Sequence, residues 1–353
     1  MEEIEEIILK KAKELESYVI EMRREFHMYP ETRFEEVRTS RIVEKELKGF
    51  GYEVVKAAKT GVIGVLKGKG ERTVALRADM DALPIQEEND VPYRSKVPGK
   101  MHACGHDAHT AMLLGAAKIL AEIRDHLEGT VKLIFQPGEE GGAGAKKIVD
   151  EGHLDDVNAI FGIHVWAELP SGVIATRKGP ILASSDVFVI KIKGKGGHGM
   201  FPHFANDPTN PAADIYNAIQ KIISRTINPL SPAVVTTPAI IASQGHNVIP
   251  EMVEIKGTLG TFDMELRDKI MTRIEKVVKY YSKAWDCEGT VELLRDTYPP
   301  VINNPELTEF AVKIAKKLGP VEEAELTMGG EDLSLIHISE PTRPLYISYA
   351  VFC

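Results

Sequence analysis

Near the start of the chain, Ile4, Ile7, Ile8, Ala12, Leu15, Val19, Met22 and Phe26 recur at intervals of three and four. That spacing collects them on one face of a single long amphipathic helix, which must pack on something larger. A second helical pattern with Val37, Ile42, Val43 and Leu47 stops at Gly49 and Gly51. Three short runs with the composition of strands follow at 52–55, 61–66 and 73–77, the last two joined by a Lys67-Gly-Lys-Gly70 turn. Met112, Leu113, Ala116, Ala117 and Leu120 then mark the buried face of a helix. Beyond it, 129–135 reads as a strand, 143–150 as a short helix and 159–163 as a buried strand. Strands alternating with helices predict an α/β sheet with helices on its faces.

The character changes near Ser185. Residues 187–193 read as a strand, 208–227 as a helix, 238–243 and 252–261 as strands, 264–284 as a helix and 289–294 as a strand. The order strand, helix, strand, strand, helix, strand is the split βαβ pattern of a ferredoxin-like module. An ordinary packing helix returns at 307–318, so the module is expected to be an insertion. The expected divisions are a first domain part at 1–183, the insertion at 184–296, a truncated second part at 297–334 and a non-native tail at 335–353.

Composition sets limits on function. The 353 residues are 43% hydrophobic and 27% charged, as in an ordinary globular protein. A net charge of −9 with no compensating basic run argues against nucleic-acid binding. No stretch is long enough for a membrane span, and the acidic start Met1-Glu-Glu-Ile-Glu-Glu6 is unlike a secretory leader. The expectation is a cytoplasmic protein. Its three cysteines, Cys104, Cys287 and Cys353, are too dispersed for a disulfide framework.

Within Met101-His-Ala-Cys-Gly-His-Asp-Ala-His109, one cysteine and three histidines crowd together. Cys104 and His106 are two apart, so in an extended loop both side chains leave on the same side and can converge on one ion. Thiolate with imidazole suits a borderline or soft divalent metal. Two carboxylates, Asp79 and Asp81, follow the third strand, where α/β proteins commonly build sites. The strand at 129–135 delivers Glu139 and Glu140, and the one at 159–163 delivers His164. In an extended chain the adjacent glutamates diverge, so one can bind metal while the other manages the protons of the attacking water. Spacing alone does not assign which does which. A cysteine hydrolase with Cys104 as nucleophile is an alternative, separable because it would survive chelation.

Six motifs together resemble the M20 metallopeptidase and amidohydrolase family: Arg77-Ala-Asp-Met-Asp-Ala-Leu-Pro84, the cluster at 101–109, Phe135-Gln-Pro-Gly-Glu-Glu-Gly141, Gly196-Gly-His-Gly-Met-Phe-Pro-His203, Asn247-Val-Ile-Pro250 and Gly329-Gly-Glu-Asp332. The similarity runs from about Arg23 to Ser334 and points to the branch of carboxypeptidases and of N-acyl-amino-acid, hippurate and auxin-conjugate hydrolases. It implies a zinc-exopeptidase-like α/β catalytic domain with an inserted ferredoxin-like (α+β) lid through which relatives dimerise, so a homodimer or homo-oligomer is expected. It also implies two divalent ions per subunit (zinc, manganese, cobalt or nickel), held by Cys104, His106, Glu140 and His164 with Cys104 bridging. Glu139 would be the general base and acid, and Asp81 would orient a ligand. His198 would donate to the oxyanion, across a dimer into the partner's site, and Asn247 would bind the substrate's carboxylate or amide. His109 is expected to support the cluster without binding metal. The implied reaction is hydrolysis of the amide of an N-acyl amino acid or short peptide; the alternatives are an N-acetyldiaminopimelate deacetylase and an inactive, truncated metal-binding protein.

Two departures from the family pattern stand out. Gly260 occupies a position where relatives commonly carry an arginine for the substrate carboxylate, and Arg267 is no obvious substitute. After Ser334 the sequence no longer resembles the family, whose last ligand is a further histidine, and nothing around His337 matches it. The tail, with Pro341, Pro344 and an apolar end, is expected to be disordered or a sticky edge. On this basis the chain is expected to bind metal weakly and turn over slowly.

Overall fold

The computed structural model describes residues 2–242, 245–336 and 346–352. The chain divides into two compact units, one comprising 1–181, 302–325 and 332–353, the other 182–301 and 326–331.

The first unit is built on an eight-stranded mixed sheet. Its strands run in the order Glu53–Ala57, Gly61–Leu66, Thr130–Gln136, Thr73–Asp79, Ala159–Val165, Tyr346–Phe352, Ile174–Thr176 and Val321–Glu323. Thr73–Asp79 is parallel to both Thr130–Gln136 and Ala159–Val165. These three central strands therefore end on the same side of the sheet, and the loops that follow two of them carry Asp81, Glu139 and Glu140. The fully buried Ala75, Leu133, Phe135 and Ile160 explain why these strands read as near-continuous apolar runs. Helix His106–Glu122 covers this sheet, packing Ala111, Leu114 and Ala117 with Phe26, Val43 and Leu47 of the neighbouring helices in one core.

Two local expectations need correction. The single N-terminal helix is two, Glu2–Glu14 and Glu16–Met28. They abut at Leu15, which keeps helical hydrogen bonding on both sides, with its N–H to Lys11 and its carbonyl to Val19, both at 3.0 Å. The expected tail is not an outer edge over 346–352: that backbone lies between two strands, parallel to Ala159–Val165 and antiparallel to Ile174–Thr176. Tyr-Ile-Ser-Tyr-Ala-Val-Phe is rich in β-branched and aromatic residues, a composition that satisfies a pleated position between two ladders. His337 lies outside the described residues.

The second unit holds a four-stranded antiparallel sheet in the order Ala233–Ile241, Met252–Thr261, Asp186–Lys193, Glu288–Leu293. Helices Thr209–Thr226 and Met264–Ala284 supply Ile215, Ile219, Ile222, Ile270, Ile274 and Val278 to a core shared with Phe188, Ile190, Ile192, Val253 and Ile255. This is the ferredoxin-like arrangement the alternation predicted. Arg267 is committed here: its Nε donates to Asp186 Oδ2 at 3.0 Å and its Nη2 to Thr297 at 2.9 Å. It is therefore not available as a substitute for the missing arginine at Gly260.

Candidate metal centre

Gly105 sets the local geometry. Its φ of +84° is left-handed, and it serves as the N-cap of the helix that begins at His106. Cys104 and His106 therefore converge through a tight turn, not through the extended loop that spacing alone suggested. Glycine is required twice over, because a Cβ here would lie 2.2 Å from Val165 Cγ2. The close approach lets the end of the Ala159–Val165 strand abut the turn.

His164 sits inside that strand, one residue before its end. Its Nδ1 lies 2.5 Å from the carbonyl oxygen of Val165, which can only accept, so Nδ1 carries the proton. The lone pair is then on Nε2, which faces the Cys104 sulfur at 3.4 Å. Donor atoms of Cys104, His106 and His164 all lie within 4.8 Å of one another, as do those of His106, Glu139 and Glu140. The structure thus gathers Cys104, His106 and His164 in one cluster and His106, Glu139 and Glu140 in a second, with His106 common to both.

Glu139 and Glu140 do not lie in extended chain. They open a short irregular turn, Glu139–Gly142, preceded by Gly138 at φ +63°. Asp81 caps this turn, with Oδ1 accepting from the Glu139 N–H and Oδ2 from the Glu140 N–H, each at 2.9 Å. The same Oδ1 lies 3.5 Å from His106 Nδ1. One carboxylate therefore fixes both glutamates and flanks the histidine.

His106 carries the clearest electrostatic signature. Both of its ring nitrogens are buried without a hydrogen-bond partner, and its nearest acids, Asp79 and Asp81, stand at 3.6 and 3.5 Å. Burial opposes its charge, but Asp79 and Asp81 outweigh burial and raise its pKa well above the usual value. Burial pushes the Cys104 thiol up. Burial, reinforced by Asp81, also raises the Glu140 carboxyl. An orphaned imidazole beside a thiol, with acids around it, fits a divalent cation that displaces protons on binding. It does not fit an activated cysteine nucleophile, whose pKa must fall.

Several residues that hold the site together were not singled out by sequence. Arg77 donates through Nη1 to Asp79 at 2.8 Å and through Nη2 to Asp332 at 3.0 Å. Asp332 also accepts from Gln136 Nε2 at 2.8 Å and from the Ala145 N–H at 2.9 Å, and its own N–H donates to Glu139 Oε1 at 3.2 Å. Fully buried Glu36 accepts from the Gly138 N–H at 3.0 Å. For Arg77 and Asp332 the signal lay in the motifs around them, Arg77 to Pro84 and Gly329 to Asp332, but not in any spacing that assigns a partner; Glu36 lies in no such motif.

His198 and Asn247 belong to the second unit. Gly197–His198 pairs antiparallel with Val248–Ile249, and the Gly199 N–H donates to the Asn247 carbonyl at 2.8 Å, which places the two predicted residues side by side. Both are exposed. His198 Nδ1 accepts from the Met200 N–H at 3.2 Å, which leaves Nε2–H as the donor.

With this geometry in hand, comparison with known proteins decides the family. A model of peptidase family M20/M25/M40 matches residues 75–350. The chain belongs to this family. It is 42% identical over 327 residues to thermostable carboxypeptidase 1 of Saccharolobus solfataricus, covering 91% of this chain and 83% of that protein. It is 42% identical over 342 residues to IAA-amino acid hydrolase ILR1-like 4 of Arabidopsis thaliana, covering 95% and 78%. A solved M20 structure, the YXEP protein of Bacillus subtilis, described as a dinuclear metal binding peptidase, superimposes with a TM-score of 0.80 at 35% identity, covering 96% of this chain and 89% of that one. The M20 chain is a hydrolase of the amidohydrolase and carboxypeptidase group, with an α/β catalytic domain and a lid domain. Among the described residues, no helix is long and apolar enough to cross a membrane.

Proposed function

We propose that this chain hydrolyses the amide joining an acyl or aminoacyl group to a C-terminal amino acid, and that Cys104, His106, Glu140 and His164 hold its divalent metal. The observation that carries the metal assignment is the Nε2 lone pair of His164 aimed at the Cys104 sulfur 3.4 Å away, beside a buried His106 with no hydrogen bond. When bound, such ions bring the pKa of water to about 7 and polarise the scissile carbonyl.

The protein's own groups do the rest. Glu139 takes a proton from the attacking water and delivers it to the leaving amine. The Asp332 N–H on Oε1 holds the Glu139 carboxylate in place. Asp81 orients His106 and the turn of the two glutamates. His198, a donor through Nε2–H, stabilises the oxyanion across a dimer in the partner's site, and Asn247 binds the substrate's carboxylate or amide. Two divalent ions per subunit and a homodimer formed through the ferredoxin-like unit complete the proposal.

The test is hydrolysis of hippurate, dipeptides and N-acetylated diaminopimelate by the purified chain, with and without a chelator. Slow turnover of hippurate or dipeptides that chelation abolishes and added metal restores is expected. Turnover that survives chelation contradicts the metal mechanism, and exclusive turnover of N-acetylated diaminopimelate contradicts the substrate class.

A further inference from the structure

We infer that His109 is a positioning residue that ties His164 and His106 into one geometry, so that neither imidazole turns independently. This rests on the assignment of both histidines as ligands. The tie is built from hydrogen bonds whose directions are fixed. The Val165 N–H can only donate, and it lies 2.9 Å from His109 Nε2, so Nε2 is the acceptor nitrogen. The proton of a neutral imidazole is then on Nδ1, where it donates to Asp79 Oδ1 at 2.6 Å.

Each end of this bridge reaches a different ligand. On one side, Val165 donates its N–H to His109 and accepts from His164 Nδ1 through its carbonyl, so the residue that His109 holds also restrains the rotation of the His164 ring. On the other side, Asp79 Oδ2 stands 3.6 Å from His106 Nε2 and is itself fixed by Arg77 at 2.8 Å. The three rings are in mutual contact, with the His109 ring centre 4.6 Å from that of His164 and 5.4 Å from that of His106. His109 is only 3% exposed, so no solvent molecule substitutes freely for either partner. A histidine one helical turn into His106–Glu122 thus joins that helix to the end of a strand distant in sequence.

The experiment is a cobalt(II) titration of the metal-free full-length chain, following the thiolate charge-transfer band of Cys104 and the ligand-field bands, for wild type, H109L and H109Q. Glutamine can donate and accept across nearly the same span, whereas leucine fills the space and does neither. H109L is expected to bind cobalt about ten- to a hundredfold more weakly with shifted ligand-field bands, and H109Q to recover most of the affinity. H109L binding as wild type does, or H109Q binding as poorly as H109L, overturns the inference. If H109L loses its circular dichroism, the comparison passes to H109N, whose shorter amide reaches Asp79 but not Val165. Tenfold weaker binding than H109Q is then expected, and equal binding overturns the inference. Wild type lacking the thiolate band removes the metal assignment itself, a result distinct from any difference among variants.

Discussion

The Glu139 N–H donates to Asp81 Oδ1 at 2.9 Å, and that same oxygen lies 3.5 Å from His106 Nδ1. One carboxylate thus sets the position of a proposed proton carrier and of a proposed ligand, which separates orientation from chemistry within a few ångströms. The consequence is that Glu139 can lose its charge without disturbing the ligands. E139Q is expected to lower kcat by about 10²–10⁴ while metal content is unchanged. Steady-state kinetics with metal analysis of the same sample checks this, and a variant that loses its metal in parallel with its activity contradicts the assigned role.

Gly105 is the hinge of the centre. In G105A, the left-handed φ of +84° costs about 1–2 kcal/mol for any residue with a Cβ. The new methyl would also press on Val165 from 2.2 Å and displace the strand end that carries His164. A lowered melting temperature and at least tenfold weaker zinc binding are expected, measured by thermal unfolding and equilibrium dialysis. Unchanged zinc affinity would show that the close approach of turn and strand does not position His164.

Buried Arg77 stands between Asp79 and Asp332, with N–O distances of 2.8 and 3.0 Å. Burial works against an ionised Asp79, but His106, Arg77 and His109 outweigh it and hold its carboxyl well below the usual range. Removing the guanidinium in R77M takes one of the counter-charges from buried Asp79 and an ion pair from buried Asp332, a loss of about 3–5 kcal/mol. Urea unfolding of the metal-free protein measures it. A loss below about 1 kcal/mol would mean that Gln136 and the Ala145 N–H suffice for Asp332.

A pH dependence follows from His27, which is buried between Asp107 at 2.8 Å and Glu87 at 3.1 Å. Burial opposes its charge, but the hydrogen bond to Asp107 and the one to Glu87 outweigh burial and raise its pKa above the usual value. A raised folded-state pKa stabilises fully below the unfolded value of about 6.5 and loses that contribution as pH rises through the folded value. The stability advantage of wild type over H27Q in metal-free protein is therefore expected to shrink from pH 6 toward alkaline pH. Denaturant unfolding at several pH values checks this, and an advantage that grows with pH contradicts it.

What the sequence revealed of this centre follows from distance along the chain. Cys104, His106, Glu139, Glu140 and His164 are of ligand or acid type at strand ends and helix starts, so chemistry and periodicity together made them visible. The backbone route was not: an extended loop was the simplest way to aim Cys104 and His106 together, and only the packing of Val165 against Gly105 shows why a left-handed turn replaces it. Asp332 was legible only as part of a motif, because its partners Arg77 and Gln136 lie 255 and 196 positions away. The tail was read as disordered or a sticky edge from Pro341, Pro344 and its apolar end, because the linear pattern does not show that the backbone over 346–352 pairs with Ala159–Val165 and Ile174–Thr176. The element order of the ferredoxin-like unit was readable because its alternation of strands and helices is local, although the strand read at 238–243 runs Ala233–Ile241 and the pairing of Gly197–His198 with Val248–Ile249 was not read.

The claim beneath all of this is that Cys104, His106, Glu140 and His164 enclose a metal. Anomalous diffraction from zinc-loaded crystals tests it most directly. A peak about 2.3 Å from the Cys104 sulfur and about 2.0–2.1 Å from His164 Nε2 is the predicted result. Zinc-loaded crystals with no anomalous density between those two atoms would contradict it.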